Sequence, residues 1–290
     1  MEHTIQNSFL SITVNKTGAE LTSIKSSSGH EYMWEANPEI WGRCAPILFP
    51  IVGKLKDDNY LYDGQNYSLS QHGFARDMVF EQIKEETEAI SYRLLPTAET
   101  KICYPFNFSL LVNFRLIDNI VEVEYQVENR GKSMMPFSIG AHPAFALNWG
   151  DSDRIEDYYV EFEKAEKVKT HHLDKNSLLS DDTETVLSNE TTIPLHEDMF
   201  NRDALILLDL ASEKISLCSY KHTRKVIVEF SDFPFLGIWA KPKAPYVCIE
   251  PWHGYVDPSG TDGQIINKPG IVKLEPDSFF SCVHRIIIED

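Results

Sequence analysis

The chain has 290 residues, of which 42% are hydrophobic and 24% charged, a composition typical of a globular protein rather than a disordered or low-complexity one. Its formal net charge is −17, from 27 basic and 44 acidic residues. No basic stripe appears in the sequence, so nucleic acid and anionic lipid are not expected partners, because tracking phosphates requires clustered Lys and Arg.

Cysteine usage and apolar runs point to a reducing, aqueous compartment. The five cysteines (Cys44, Cys103, Cys218, Cys248 and Cys282) are scattered, odd in number and never in a C-x-x-C pair. We therefore expect neither a disulfide framework nor a structural zinc site. The N-terminus has no cationic start followed by an apolar run, and the longest apolar stretch, 45–52, has eight residues including two prolines. These features predict a cytoplasmic protein with no signal peptide and no membrane span.

Alternating apolar and polar residues dominate the chain, as in half-buried antiparallel strands. In chain order, this alternation predicts strands over residues 9–15, 19–26, 90–96, 108–116, 120–129, 158–164, 214–220, 225–230 and 270–276. Residues 108–129 are predicted to form a hairpin that turns at Asp118-Asn119. Helical periodicity is sparse, and its best example is Glu81–Glu88. Because parallel strands need long crossovers that this chain lacks, we predict an all-β, antiparallel, sandwich-like fold.

Residues 173–202 form the most polar stretch of the chain. It could mark a domain boundary or a long excursion across one face of a single domain. Strand-like patterning resumes directly afterwards, from Ala204. We therefore favour one domain that covers residues 1–290.

Four short segments place titratable groups among glycine, proline and aromatic residues, the pattern of a pocket mouth. They are residues 45–55, 71–77, 139–147 and 239–254. In the last two, His142 and Glu250 each interrupt an apolar strand immediately before a proline, which removes a ladder N–H and marks a strand end or sheet edge. Taken singly, His142 could be a core histidine bound to a backbone carbonyl. Glu250 could equally be a salt-bridged edge residue.

The other polar candidates are His72, Arg76, Lys54 and Asp203. His72 precedes Gly73, and a glycine lets the backbone approach a ligand closely. These residues also have ordinary structural interpretations. The segment with His72 and Arg76 could be a surface turn, Lys54 a solvated loop lysine, and Asp203 a capping or turn aspartate. Together with His142, they form a set of polar groups that could converge on one pocket.

Four aromatic residues, Phe74, Phe145, Trp239 and Trp252, accompany these polar groups, and Phe74 and Trp239 are the two that we assign to the pocket. Such rings are more often part of a core than of a ligand platform. Rings beside polar groups at strand ends nevertheless suit the apolar faces of pyranose sugars, which they contact through C–H groups. The pattern thus favours a sugar as the ligand.

The segments LFPIVGKL, QHGFAR, IGAHPAF, DALILLDL and LGIWAKPKAPYVCIEPWHG, in this order and spacing, resemble the aldose 1-epimerase (mutarotase) family, in particular its LacX-like branch. The resemblance covers nearly the whole chain and implies a galactose mutarotase-like supersandwich, a large antiparallel β-sandwich. Carried over by position, it implies His142 as the catalytic acid and Glu250 as the catalytic base. His72 matches the histidine that positions the substrate.

The same resemblance implies a sugar-binding role for Asp203 and places Arg76 and Lys54 in the pocket. The sequence also departs from the family. Mutarotases that act on free galactose commonly carry Asn-Arg where this chain has Gly53-Lys54, and the residues after Glu250-Pro251 also differ. The chemistry is therefore better defined than the sugar.

The implied reaction needs no metal and no cofactor. A base takes the proton of the anomeric hydroxyl while an acid protonates the ring oxygen. We expect His142, protonated at the start, and Glu250 to lie on opposite sides of the sugar. Partial burial would bring the pKa of Glu250, ordinarily near ~4.3, closer to the working pH.

Three alternatives remain open from the sequence. A sugar-phosphate mutarotase is favoured if Lys54 and Arg76 flank the site, because a phosphate needs a cationic clamp. A non-catalytic carbohydrate-binding protein would keep the pocket without turnover. A glycosidase would pair Glu250 with Asp203 but leave the histidines without a role, so it ranks last. The oligomeric state, monomer or dimer, is also open.

Overall fold

The computed structural model describes residues 1–290, and β-strands make up most of its regular structure. It has one α-helix, α1 (Ala98–Cys103), and single 3₁₀ turns at Lys56–Asp58, Ala75–Asp77, Ile155–Asp157 and Ile265–Asn267. No helix is long and apolar enough to span a membrane. The strands are β1 (Glu2–Gln6), β2 (Leu10–Asn15), β3 (Glu20–Ser26), β4 (Asn59–Tyr62), β5 (Gln65–Ser68), β6 (Glu81–Glu86), β7 (Ala89–Leu94), β8 (Phe108–Ile117), β9 (Ile120–Asn129), β10 (Met135–Phe137), β11 (Ile139–Gly140), β12 (Ala144–Ala146), β13 (Tyr158–Leu173), β14 (Leu179–Pro194), β15 (Leu205–Leu207), β16 (Lys214–Ser219), β17 (Lys225–Glu229), β18 (Phe235–Trp239), β19 (Tyr246–His253), β20 (Val272–Leu274) and β21 (Phe279–Glu289).

Fourteen of these strands form one large antiparallel sheet. Its order is β11-β19-β18-β15-β13-β16-β17-β21-β9-β8-β7-β6, with β12 also paired to β19 and β14 to β13. Strands far apart in this order meet face to face: Phe114 and Val123, from β8 and β9, border the same small cavity as Ala141, which follows β11. The predicted all-β antiparallel class is confirmed.

A connected core of 69 buried residues fills the space between the sheet faces. Its members run from Ile5 near one end of the chain to Ile288 near the other. Burial of apolar side chains from so many strands is the main stabilising contribution to the fold. That residues 1–290 form a single domain stays a prediction.

The hairpin predicted at Asp118-Asn119 is present. Ile117 pairs with Ile120 across a two-residue turn, and Asp118 has a φ of +50°. Tight two-residue hairpin turns require positive φ, which Asp and Asn tolerate better than most residues. The local turn chemistry was therefore sufficient to locate this connection.

The helical tendency of Glu81–Glu88 was misleading, because β6 (Glu81–Glu86) is a strand. It pairs with β7 alone and forms one edge of the large sheet. Five of its six residues are charged or amide-bearing, and five of the six are exposed. Charged side chains on an edge strand discourage its pairing with other chains. Because polar residues therefore occupy nearly every position of β6, it lacks the apolar–polar alternation by which a strand is recognised in sequence.

The polar stretch 173–202 is a regular β-strand for most of its length. Residues Leu179–Pro194 form β14, which pairs with β13 in a long hairpin with several register shifts. Most side chains of β14 are exposed or half-buried, so the strand has little need for apolar residues. Helix α1 was also missed, although Thr97 and Thr100 form a capping box at its start.

Candidate active site

A cavity of about 330 Å³ opens on one face of the strands around β19. Every second residue of a strand points to the same face of the sheet. Residues directly opposite each other on neighbouring strands also share a face. On β18 and β19 this rule puts Trp239, Glu250 and Trp252 on the cavity face. Of the eight predicted site residues, seven line the cavity: Lys54, His72, Arg76, His142, Asp203, Trp239 and Glu250.

Strand register brings His142 and Glu250 together. Gly140 of β11 pairs with Trp252 of β19, and β12 continues the same register on the other side of His142. Extending the register by two residues from Gly140 places His142 directly opposite Glu250. The two side chains are therefore a cross-strand pair on the cavity face.

Two prolines shape the ladder around this pair. Ala141 donates its N–H to the Pro251 carbonyl at 3.0 Å, and Ile249 donates to the Pro143 carbonyl at 3.2 Å. Each proline lacks the N–H that would return the second bond. These two hydrogen bonds lie on either side of His142 and Glu250, which therefore form a non-hydrogen-bonded pair. In pairs of this kind the opposite side chains approach each other most closely.

His142 Nε2 lies 3.2 Å from Glu250 Oε2, and both side chains are buried. The expectation that a sugar would lie between them is therefore wrong. Directly opposite residues have Cβ atoms only about 4.5–5.5 Å apart, which leaves no room for a ring. A sugar in this cavity would instead meet both groups from the same side.

Burial makes this a neutral pair. Desolvation lowers the pKa of His142 to about 3, so the free imidazole is uncharged at neutral pH rather than protonated as expected. Desolvation also raises the pKa of Glu250 well above its usual value, and the nearby Asp203 charge raises it further. When the pair holds one proton, that proton therefore lies on Glu250 rather than on His142.

His72 presents its Nε2 toward the cavity as a donor. The Gly53 backbone N–H lies 3.2 Å from His72 Nδ1, and an N–H can only donate, so Nδ1 is the acceptor. Burial lowers the pKa of His72 well below its usual value, and the neighbouring His142 lowers it further, so the ring is neutral with its proton on Nε2. The Gln71 amide nitrogen lies 3.2 Å from His72 Nε2, and a 180° turn of that amide places its oxygen there as the acceptor.

Two cationic side chains border the cavity. One terminal nitrogen of Arg76 donates to the Gln71 carbonyl at 2.8 Å, its buried Nε lies 3.9 Å from Asp77 Oδ2, and its other terminal nitrogen has no protein partner. Lys54 sits nearer the solvent, and its ammonium makes only a 3.4 Å contact with the Asn176 carbonyl. Both therefore have donors free for an oxygen-rich or anionic ligand.

Asp203 supplies the carboxylate on another wall. Its backbone has a φ of +80°, an uncommon conformation for a residue other than glycine. Its Oδ1 accepts the Ala204 N–H at 2.8 Å, and Oδ2 has no protein partner. Backbone strain at a cavity wall is typical of a functional residue.

Phe74 does not line the cavity, so its assignment to the pocket is wrong. Its ring packs edge-on against Phe49 at 6.2 Å and lies 6.0 Å from the Phe108 ring. The 3₁₀ turn that starts at Ala75 orients Arg76 to the cavity and leaves Phe74 on the core side. Adjacent residues in a tight turn point in different directions, which proximity in sequence cannot reveal.

Trp41 is a cavity residue that the sequence did not indicate. Its ring stacks on His142 at 5.1 Å and 29°, and meets Trp239 edge-on at 5.5 Å. It lies in a loop without strand periodicity, and Trp34 holds this loop by a 2.9 Å bond from its indole N–H to the Trp41 carbonyl. The one available signal was a tryptophan in a loop beside Gly42.

Gly237 gives Trp252 its place in the cavity wall. Gly237 pairs with Glu250, and a Cβ at this glycine would lie 2.3 Å from the Trp252 ring. No larger residue fits there without moving the indole. The absent side chain therefore makes room for the Trp252 indole in the cavity wall.

One cluster in the site has the composition of a metal centre. His142, Cys248 and Glu250 each offer one ligand atom, and these atoms lie within 4.8 Å of one another. The sequence suggested no such site, because its members come together only through strand register.

Comparison with known proteins identifies relatives over almost the full chain. The family model described as aldose 1-epimerase matches residues 1–272. The chromosomal and plasmid LacX proteins of Lactococcus lactis are each 34% identical to this chain over 282 residues, which is 94% of both partners.

Solved structures agree with these matches. A galactose mutarotase related enzyme from Lactobacillus acidophilus is 37% identical, with a TM-score of 0.95 over 100% of this chain and 98% of the other. A galactose mutarotase-like protein from Lactobacillus casei is 30% identical, with a TM-score of 0.94 over 100% of both chains. The large antiparallel sandwich is thus shared with these proteins.

Proposed function

The chain belongs to the aldose 1-epimerase family, and from this premise we propose that it interconverts the α and β anomers of a hexose by acid–base ring opening and closure. The observation that carries the proposal is the His142–Glu250 pair, which faces a cavity lined by sugar-compatible side chains. Trp41 and Trp239 supply flat apolar surfaces. Asp203, Arg76 and His72 supply acceptors and donors for hydroxyl groups.

The close contact of the pair suits this reaction. The anomeric hydroxyl oxygen and the ring oxygen are both bonded to C1, so the groups that serve them must also be neighbours. A sugar laid over the pair presents one oxygen to each side chain. Geometry of this kind supplies the proximity that proton transfer needs.

The proton count of the pair also balances over the reaction. Moving the shared proton from Glu250 to His142 leaves a carboxylate base and an imidazolium acid, the roles that the family resemblance implies. Glu250 then takes the proton from the anomeric hydroxyl while His142 protonates the ring oxygen and the C1–ring oxygen bond breaks. The pair returns to its neutral resting form beside an open-chain aldehyde.

Closure on the other face completes the exchange. Rotation about the C1–C2 bond presents the opposite face of the carbonyl, and the same two transfers in reverse close the ring. His72, a neutral Nε2–H donor, would exchange its Gln71 partner for an oxygen of the substrate during this step. Each step uses only side chains of this chain.

A second substrate class has a specific observation in its favour. Lys54 and Arg76 both border the cavity with donors that the protein leaves unpaired. A hexose 6-phosphate would place a dianion within reach of such cations, whereas a free hexose needs only hydroxyl partners. The same acid–base pair would serve either substrate.

Anomer exchange measured by NMR saturation transfer tests the proposal. Glucose, galactose and their 6-phosphates would be compared with wild type and with Glu250→Gln. We expect acceleration for at least one sugar, and a fall of about 10²–10⁴ in the variant, the usual contribution of general acid–base catalysis. If the folded wild type accelerates none of the four, mutarotation of these hexoses is refuted and a sugar-binding role takes its place.

A further inference from the structure

Cys248 shares the cavity face with the proposed acid–base pair. It precedes Glu250 by two residues on β19, so both side chains point the same way, and it pairs with Ala144 just beyond His142. The three potential ligand atoms of His142, Cys248 and Glu250 lie within 4.8 Å of one another, and all three residues are buried. Cys248 lies behind the carboxylate and does not line the sugar cavity.

The donor set matches a borderline transition metal. Imidazole nitrogen, carboxylate oxygen and thiolate sulfur bind Zn²⁺ at about 2.0–2.3 Å, so two ligands of one tetrahedral ion lie about 3.3–3.8 Å apart. The 3.2 Å contact between His142 and Glu250 is close to this separation, and the ligand atoms of all three residues lie within 4.8 Å of one another. Binding of one ion by all three residues requires the Cys248 thiol to approach the pair to the same separation.

The surroundings leave a fourth position open. The cavity borders His142 and Glu250 directly, so a water molecule could complete a tetrahedron from that side. Asp203, whose charge already acts on Glu250, adds negative potential at the same place. Three protein ligands with an open position are common in zinc sites that exchange their fourth ligand.

We propose that His142, Cys248 and Glu250 form a binding site for a divalent ion of the Zn²⁺ class, and that the bound ion inhibits the enzyme. The ion would use the nitrogen and oxygen lone pairs that the proton transfers require, so metal and sugar compete. Cys248 binds as a thiolate and Glu250 as a carboxylate, so binding of the ion releases two protons to solvent. The inhibition rests on the proposed function; the binding itself does not.

Cobalt binding to the chelator-treated protein tests the site without any reaction. Co²⁺ takes Zn²⁺ positions, and a cobalt–thiolate bond absorbs in the near ultraviolet. We expect this band with one equivalent of Co²⁺ in the wild type and its loss in Cys248→Ala. Zn²⁺ should displace the Co²⁺ and abolish the band.

Cys218→Ala is the matched control. Cys218 is equally buried in a strand, β16, but has no histidine and carboxylate gathered around it. The band must persist in this variant. The proposal is overturned if the band survives in Cys248→Ala or if the wild type shows no band. If the alanine variant misfolds, Cys248→Ser, which carries a smaller hydroxyl group, is used to repeat the test.

Inhibition is measured separately by anomer exchange at increasing Zn²⁺, relative to the metal-free rate of each protein. Loss of a supporting residue around a metal typically weakens affinity by 10–100-fold, so loss of a direct ligand in Cys248→Ala should raise the inhibiting concentration by at least ~100-fold. Equal inhibition of both proteins contradicts the assigned mode of inhibition. A cobalt band without any mutarotase activity would confirm the metal site and refute the proposed function, so the two failures are distinct.

Discussion

Two buried pairs of ionisable side chains lie near the cavity, and they are stabilised in different ways. Lys268 and Asp257 lie 3.0 Å apart with almost no exposure. His142 and Glu250 lie 3.2 Å apart and are nearly as buried. Both pairs carry the desolvation cost of burial, but only in the first does every polar side-chain atom have a hydrogen-bond partner in the protein.

Lys268 and Asp257 hold the loop after β19. The Lys268 ammonium donates to the Tyr255 carbonyl as well as to Asp257 Oδ1, and Asp257 Oδ2 accepts the Lys56 backbone N–H at 3.1 Å. The Asp257 N–H in turn bonds to the Lys54 carbonyl at 3.0 Å. This pair therefore positions the Lys54 side of the cavity.

The pair at the cavity has no comparable support. His142 Nδ1 is buried without a hydrogen-bond partner, and Glu250 accepts no backbone N–H. Natural proteins rarely leave buried polar groups in this state without a role. The comparison indicates that polar groups satisfied by the protein maintain structure, whereas those left open toward a cavity are available to a ligand.

The largest expected effect comes from breaking the structural pair. Lys268→Met leaves Asp257 as an uncompensated buried charge, which we expect to lower the free energy of unfolding by about 3–5 kcal/mol. Urea denaturation of wild type and variant measures the difference. Adding Asp257→Leu should restore part of the loss, because no buried charge then remains, but not all of it, because the Lys56 N–H loses its acceptor. A loss under ~1 kcal/mol in the single variant would contradict the structural role.

A smaller effect concerns the pH dependence of the cavity pair. The competent pair carries one proton, and a second proton can be added only to His142, whose pKa is lowered to about 3 by desolvation. We therefore expect kcat/KM to stay level between pH 7.5 and 5.5, and to fall on the alkaline side only as Glu250 loses its proton. A histidine of ordinary pKa near ~6.5 would instead reduce the rate about tenfold by pH 5.5. Such a fall would show that the site is hydrated and the pair is not neutral.

The acid–base pair was accessible from the sequence because its signals are local. AHP and IEP each place a polar residue on an apolar strand beside a proline, and the resemblance to a known family assigned their roles. What the sequence could not supply was their relation in space. The strand register places the two residues opposite each other, so their side chains are in contact. Burial then favours the neutral form of His142 over the protonated form.

Other features depend on the tertiary environment and could not be anticipated. Trp41 reaches the cavity from a loop without periodicity, and Phe74 turns toward the core although its neighbours His72 and Arg76 face the cavity. The strand character of Glu81–Glu86 is hidden by its position at a sheet edge. In contrast, the hairpin at 118–119 needed only two turn residues and was correctly predicted.

The central claim is that Glu250 is retained for chemistry at a cost to stability, and both properties can be measured on Glu250→Gln. Burial raises the pKa of Glu250, so ionisation of the unfolded chain destabilises the native state increasingly as the pH rises above the ordinary carboxylate range. An amide escapes this loss, so the variant should match wild type near pH 4. At pH 7 it should be more stable than wild type, because only the wild-type unfolded chain gains stability from ionising this side chain.

Exchange rates and urea denaturation on this one variant at pH 7 give the most direct test. The account predicts a protein that is more stable than wild type and at least about 100-fold slower in anomer exchange. A variant that is less stable, or that exchanges anomers at the wild-type rate, would contradict it.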